Sequence, residues 1–177
     1  NLAEVSRRIA TMMGTRKDPY DNFDFMLETF GEYGLDPVFF ILAGERGPHD
    51  RNLSTANRRF AGLIRSLRER AAIGIHPSYR SFDEPSRAGK EIERLGAVAG
   101  ERIYRSRQHF VRMEFPGTYE NLIANGITAD YSMGYPDTTG FRASVATPFS
   151  FYHLPEERET ALQVVPFAFM DSTLDDY

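Results

Sequence analysis

The sequence has no cysteine, so disulfide frameworks and thiolate metal centres are closed to it, and any metal would have to be held by histidine and carboxylate. No apolar run is long enough to span a bilayer, and the opening residues lack the basic and apolar regions of a signal peptide. The chain as it stands is expected to be soluble, with the cytoplasm a compatible compartment. Concentrated positive charge is missing as well. The net charge is −4, the pI is about 5.6, and the densest basic run, RSLRER at 65–70, alternates with Leu67 at helical spacing. That run reads as a solvated helix face. A nucleic-acid partner is argued against, because such surfaces need clustered cations to displace counterions from phosphates. No glycine-rich loop follows any apolar segment, which removes the phosphate-binding α/β enzymes. Repeats, low-complexity tracts and linkers are absent too, so 177 residues are expected to form a single domain.

What is present alternates. NLAEVSRRIATMMG spaces Leu2, Val5, Ile9 and Met12 as one helix face, and DNFDFMLETFGEYG makes a second helix that Asp21 is placed to cap. DPVFFILAG is an unbroken apolar run, the mark of a strand covered on both faces. A polar loop follows, then a helix opened by Ser54 or Thr55 and the short buried strand AAIGI. DEPSRAGKEIERLGAVAG is a helix with Ile92, Leu95 and Val98 inward; RIYRSRQHF is a strand, FPGTYENLIANG a helix and ITADYSMGY a strand. Parallel strands over 38–42, 72–76, 102–107 and 127–131, joined by helical crossovers and sharing one carboxyl-end rim, are the expectation. The tail departs from this pattern, with two β-prone runs around a charged turn and then DSTLDDY, where Ser172 and Asp175 fit a capping box.

Carboxyl ends of parallel strands collect ligands, which directs attention to the residues that follow each apolar run. His76 ends AIGI and has Ser78 and Tyr79 beside it. A strand-end imidazole bonded to backbone is the alternative to a working one. His109 lies two residues after Arg107, and strand alternation would aim both toward a cleft shared with His76. Arg107 and Arg142 can hold a carboxylate or a sugar oxygen through paired hydrogen bonds. Asp130 and Asp171 each close an apolar run, poised for the site or for capping the next segment. Tyr131, Tyr135, Phe141, Phe149 and Tyr152 are spaced either for stacking on sugar rings or for ordinary rim packing. His49 and Asp50 read as a solvated turn, and His153 is given no role.

Several of these stretches resemble the polysaccharide deacetylase family, carbohydrate esterase family 4, and in particular a divergent bacterial branch from surface-polysaccharide systems. FDFMLETFGEYGLDP with VFFIL resembles the first crossover helix and second strand of that family. IGIHPSY stands where a His-Ser/Thr-x-x-His motif follows the third strand. RSRQHF is similar to the arginine-bearing motif, DYSMGYPDTTGFRA to a cleft-lining segment, and VPFAFMDSTL to a late strand carrying a Met-Asp pair. The resemblance implies an α/β fold, a distorted (β/α) barrel of about seven strands, with the site at the strands' carboxyl ends.

It further implies a hydrolase that removes acetyl groups from a carbohydrate polymer or oligosaccharide. A divalent metal, zinc or similar, would polarise the acetyl carbonyl and its attacking water. By that resemblance His76 and His109 are metal ligands or the acid, Arg107 the orienting cation and Asp171 a catalytic carboxylate. Tyr79, Asp130, Tyr135 and Arg142 would contact substrate. Two departures stand against a complete apparatus. No Asp-Asp pair precedes Asp21, TLDDY at 173–177 imitating the wording in the wrong place, and Arg80 replaces the second histidine, which a permanently protonated guanidinium cannot do as a ligand. The expectation is an incomplete barrel, a fragment lacking its first strand and its carboxyl-terminal end, with an exposed apolar strand edge at VFFIL. The rival reading is a polysaccharide-binding or scaffold domain that kept the barrel and lost the metal.

Overall fold

The computed structural model describes residues 2–174, with the side chains of Leu2, Ser172 and Leu174 left aside. Asp175 and Asp176, and with them the proposed capping box and the TLDDY lookalike, lie outside the described residues. By internal contacts the chain divides into two compact units, Asn1–Pro37 and Val38–Tyr177. The first holds helices α1 (Leu2–Met12) and α2 (Phe23–Glu32). Gly14 and Gly34, at φ +72° and +63°, follow their ends as the sequence suggests. The start of α2 differs from expectation, because its N-cap is Asn22, whose side chain makes no capping bond, and not Asp21.

The second unit is a six-stranded sheet in the order β1-β2-β3-β4-β6-β5, formed by β1 (Val38–Ile41), β2 (Ala72–Ile75), β3 (Arg105–Ser106), β4 (Ala129–Asp130), β5 (Phe149–His153) and β6 (Arg158–Val164). The first four strands are parallel neighbours in chain order, as the alternating pattern requires. The two tail runs form an antiparallel hairpin, and β6 alone docks on β4, in parallel. In β6 only Thr160, Leu162 and Val164 are buried, the period-two signature of a strand with one face in the core. β1 and β5 are the two ends of the strand order among the described residues. All four residues of β1 are half-buried, so VFFI is not the doubly covered strand that its composition suggests. Its position at a sheet edge, paired with β2 alone, is the physical reason.

Helices α3 (Arg58–Arg68), α4 (Ser86–Ala99), α5 (Gly117–Ala124) and α6 (Asp171–Leu174) complete the order. Asn57, not Ser54 or Thr55, opens α3; its Oδ1 accepts from the backbone N–H of Arg59 and Phe60. Ile64 and Leu67 of α3 and Leu95 of α4 are buried with Ile73 and Ile75 of β2, while Arg65 and Arg68 remain in solvent. Truncating one such core side chain to alanine costs about 2–5 kcal/mol. Glycine is required within β2, because a Cβ at Gly74 would stand 2.6 Å from the Phe40 ring and 3.1 Å from the Arg105 carbonyl.

Candidate functional site

The parallel ladder continues one residue past each short strand. His76 donates its backbone N–H to Ile41, Arg107 to Ile75, Tyr131 to Ser106 and Val165 to Asp130, at 2.8 to 3.0 Å. These bonds place His76, Arg107 and Tyr131 side by side on the carboxyl rim, the end of a parallel sheet where ligands collect.

There the rings of His76 and His109 meet, with centroids 4.8 Å apart and planes 50° to one another. His76 Nδ1 lies 2.6 Å from the Arg107 carbonyl, which can only accept, so Nδ1 carries the proton and Nε2 is left with a lone pair. His109 Nδ1 lies 3.1 Å from Oδ1 of Asp50, which fixes the same tautomer with Asp50 as a carboxylate acceptor. Burial, then the charge of neighbouring His109, lowers the His76 pKa to about 4, so this imidazole is neutral at physiological pH. The backbone bond of the plain strand-end reading is therefore present, and it uses only one of the two ring nitrogens.

His109 does not reach the pair by strand alternation. β3 ends at Ser106, and His109 opens a one-turn 3-10 segment, His109–Val111, in which Phe110 has φ +55°. Asp50 corrects a second expectation. It is no solvated turn residue but is 1% exposed, and its Oδ1 accepts from the Tyr79 backbone N–H at 2.9 Å as well as facing His109. Unlike Asp130 and Asp171, Asp50 does not close an apolar run but stands in the polar loop after β1, where no local signal marks it. Glu91 was also missed. Buried on α4, it accepts from Ser78 N–H at 2.8 Å and from Ser78 Oγ at 2.6 Å, and so clamps the turn that follows His76.

Arg107 spreads its guanidinium over the Phe167 ring, 4.2 Å from the centroid. Burial pulls its pKa down from the usual arginine value, and the charges of Asp130 and Asp171 work against that. Asp130 itself is fully buried beneath the rim. Its Oδ2 accepts from Ser106 Oγ at 2.6 Å and Ser132 Oγ at 2.9 Å, and its Oδ1 from Ser132 N–H at 3.0 Å. The buried Tyr119 hydroxyl approaches the same carboxyl without reaching hydrogen-bond geometry. Burial raises the Asp130 pKa despite these donors. Such a residue braces β3 against β4 from beneath the rim.

Asp171 is exposed at the start of α6. Tyr79 is half-buried, sandwiched between the His49 ring at 4.2 Å and the Arg112 guanidinium at 4.0 Å. Tyr135 and Arg142 are exposed on the segment between β4 and β5. Among the described residues, neither makes a hydrogen bond, ion pair or ring contact with the two imidazoles. Arg80 is exposed, and it is His109 rather than residue 80 that supplies the second imidazole beside His76. His153 has both nitrogens occupied, accepting from Glu156 N–H and lying 2.6 Å from Glu120 Oε1, which suits a structural role.

Two imidazoles whose Nδ1 protons are held by acceptors and whose Nε2 lone pairs remain available are the donor type that a divalent cation takes. The fit stops at two donors. Asp50 Oδ1 is already engaged, and no cluster of three or more His, Asp or Glu side chains suited to a metal occurs among the described residues.

No family model matches this sequence, and no curated protein matches it by sequence. By structure it is similar to a Mycobacterium smegmatis protein provisionally described as a polysaccharide deacetylase, with a TM-score of 0.60 and 18% identity over 93% of this chain and 51% of that one. It is also similar to a polysaccharide deacetylase from Bacillus cereus, with a TM-score of 0.48 and 12% identity over 88% of this chain and 75% of that one. At 18% identity the first likeness establishes the fold, a polysaccharide deacetylase-like α/β architecture. The chain spans about half the length of that Mycobacterium protein.

Proposed function

We propose that the rim is the site of a carbohydrate deacetylase that releases acetyl groups by hydrolysis. The observation that carries this reading is the His76–His109 pair, two imidazoles with oriented, available Nε2 atoms on the carboxyl rim of a deacetylase-like sheet. His76 and His109 are the residues that would hold a divalent cation such as zinc, whose chemistry is to polarise an acetyl carbonyl. Asp50 holds the His109 ring in its tautomer, and the Arg107 carbonyl does the same for His76. The charge of Arg107 acts on His76, and Asp171, an exposed carboxylate whose own charge reaches Arg107, is the proposed acceptor of a proton from water. Tyr79, Tyr135 and Arg142 are proposed substrate contacts around the same rim.

The test is elemental analysis of the purified protein together with acetate release from acetylated oligosaccharides, for the native sequence, His76→Ala and His109→Ala. About one equivalent of metal and measurable release, both lost in either variant, are expected. A second reading, a carbohydrate-binding domain without turnover, is favoured by the want of a third ligand among the described residues. It predicts oligosaccharide binding with neither metal nor acetate release.

A further inference from the structure

Gln108 lines a cavity of about 130 Å³ that opens between the amino ends of α4 and α5, and whose lining includes neither His76 nor His109. The floor is apolar, with buried Ala88 and Leu122 beside the half-buried Phe82. Gln108 itself is 7% exposed. Its backbone N–H donates to Ser132 Oγ, but its carboxamide has no hydrogen-bond partner among the described residues. A buried amide left without partners works against folding, so packing does not explain a glutamine at this position. Two further groups are free in the same way. α5 opens on Pro116 without a side-chain cap, and the backbone N–H of Gly117, also in the lining, meets no acceptor among the described residues. Glu114 borders the same space, exposed, and is bonded there through its backbone alone, its N–H donating to Thr118 Oγ1. Other polar groups of the lining are engaged, Ser81 Oγ with the Ser78 carbonyl and Asn121 Nδ2 with the Pro85 carbonyl.

We infer that this cavity is a binding site for a small neutral carboxamide of about six non-hydrogen atoms. The size follows from the volume, which is close to that of an apolar cavity of about 150 Å³ that takes benzene. The head group follows from the polar atoms left free. Gln108 offers one acceptor and one amino group, and a second carboxamide is its complement, joined to it by two parallel hydrogen bonds. The ligand carbonyl keeps a lone pair for the Gly117 N–H, and its remaining amide proton suits the Glu114 carboxylate. A short alkyl tail would cover Ala88 and Leu122. A carboxylate of the same shape would be repelled by Glu114. A cation would face the positive end of the α5 dipole and leave the Gly117 donor unserved. The inference stands apart from the deacetylase reading, because it uses no group of the imidazole pair.

Butyramide, butyrate and butyramidinium share one shape and differ in charge, so together they read the head-group preference. NMR titration of the isotope-labelled native protein is expected to shift the side-chain amide signals of Gln108 and the backbone signals of Gly117 and Leu122, saturating with butyramide at a Kd on the order of millimolar. Butyrate and butyramidinium should bind at least about fivefold more weakly. Gln108→Leu removes the amide at nearly constant volume. It should lower butyramide affinity at least about tenfold yet melt no lower than the native protein, because an unpaired polar group gives way to an apolar one. Glu114→Gln should raise butyrate affinity by removing the repulsion. No saturable shift with butyramide, equal affinity for butyrate in the native protein, or undiminished binding by Gln108→Leu would overturn the inference. A lower melting temperature for Gln108→Leu would overturn it as well, by giving the glutamine a structural role.

Discussion

Asp50 Oδ1 and His109 Nδ1 stand 3.1 Å apart across 59 residues of sequence, joining the loop after β1 to the turn after β3. The carboxylate is 1% exposed, and its second bond, to the Tyr79 backbone, draws in the segment after β2. One buried side chain thus ties three strand ends together. Asp50 is a positioning residue, acting on the site through His109.

Asp50→Ala should leave two donors unpaired in a buried setting and cost about 2–3 kcal/mol by urea denaturation. Asp50→Asn keeps an acceptor for Tyr79 and should fold nearly as well. By the proposed function it should still weaken zinc binding roughly 10–100-fold, because a metal-ligating histidine depends on the acceptor at its other nitrogen. Titration with zinc, read by calorimetry, checks the second expectation independently of stability. Equal zinc affinity in the native protein and Asp50→Asn would remove Asp50 from the site.

His76 makes acid destabilisation specific. Its pKa is about 4 in the folded protein against the ordinary 6.5, so between these values the unfolded chain binds more protons than the folded one. The stability tied to a neutral His76 is fully present above about pH 6.5 and is lost as pH falls toward 4, to a limit of about 3 kcal/mol. His76→Gln has no such titration. The difference in unfolding free energy between native protein and variant, followed from pH 7.5 to 4, should fall with pH over this window; a flat difference would show that His76 is not held neutral.

The parallel order of the first four strands was readable because each apolar run is separated from the next by a helix-period segment ended by glycine, as at Gly100 and Gly126. His76 was readable for the same reason, since a strand that stops at a proline presents its last side chain at the rim. Asp50 was not readable. Its burial depends on the loop after β1 folding over the ends of β2 and β3, a long-range event that local periodicity does not encode. β3 and β4 begin later than expected, at Arg105 and Ala129 rather than at 102 and 127, while the ladder runs on to Arg107 and Tyr131 as expected. The chain then turns, and alternation ceases to govern where His109 points.

Asp130, the brace between β3 and β4, offers a separate test. Asp130→Ala should strand Ser106 Oγ together with the N–H and hydroxyl of Ser132, at a cost of about 2–4 kcal/mol. Asp130→Asn can accept from the Ser132 N–H and donate to the two rotatable hydroxyls, and should cost little. The sign of the pH effect is opposite to that of His76. Because the folded-state pKa is raised, the favourable contribution of Asp130 is present at low pH and lost as pH rises through and above the ordinary carboxylate range. Native protein should therefore lose ground to Asp130→Asn as pH climbs from 4 to 7, and chemical denaturation of the two at several pH values measures it.

Gly134 and Phe167 give the last prediction. A Cβ at Gly134 would collide with three atoms of the Phe167 ring, the ring on which the Arg107 guanidinium rests. Gly134 is buried, so Phe167 cannot yield simply by turning into solvent on that side. Gly134→Ala should then force Phe167 from beneath Arg107, losing about 1–3 kcal/mol to overpacking and about 1 kcal/mol of cation–π attraction. Phe167→Leu alone removes that attraction and part of the packing. In the double variant the smaller side chain leaves room for the new methyl, so the two losses should fall short of their sum by at least about 1 kcal/mol. A double-mutant cycle from thermal or urea unfolding measures this coupling, and strict additivity would mean that Gly134 is kept for some reason other than the close approach of Phe167.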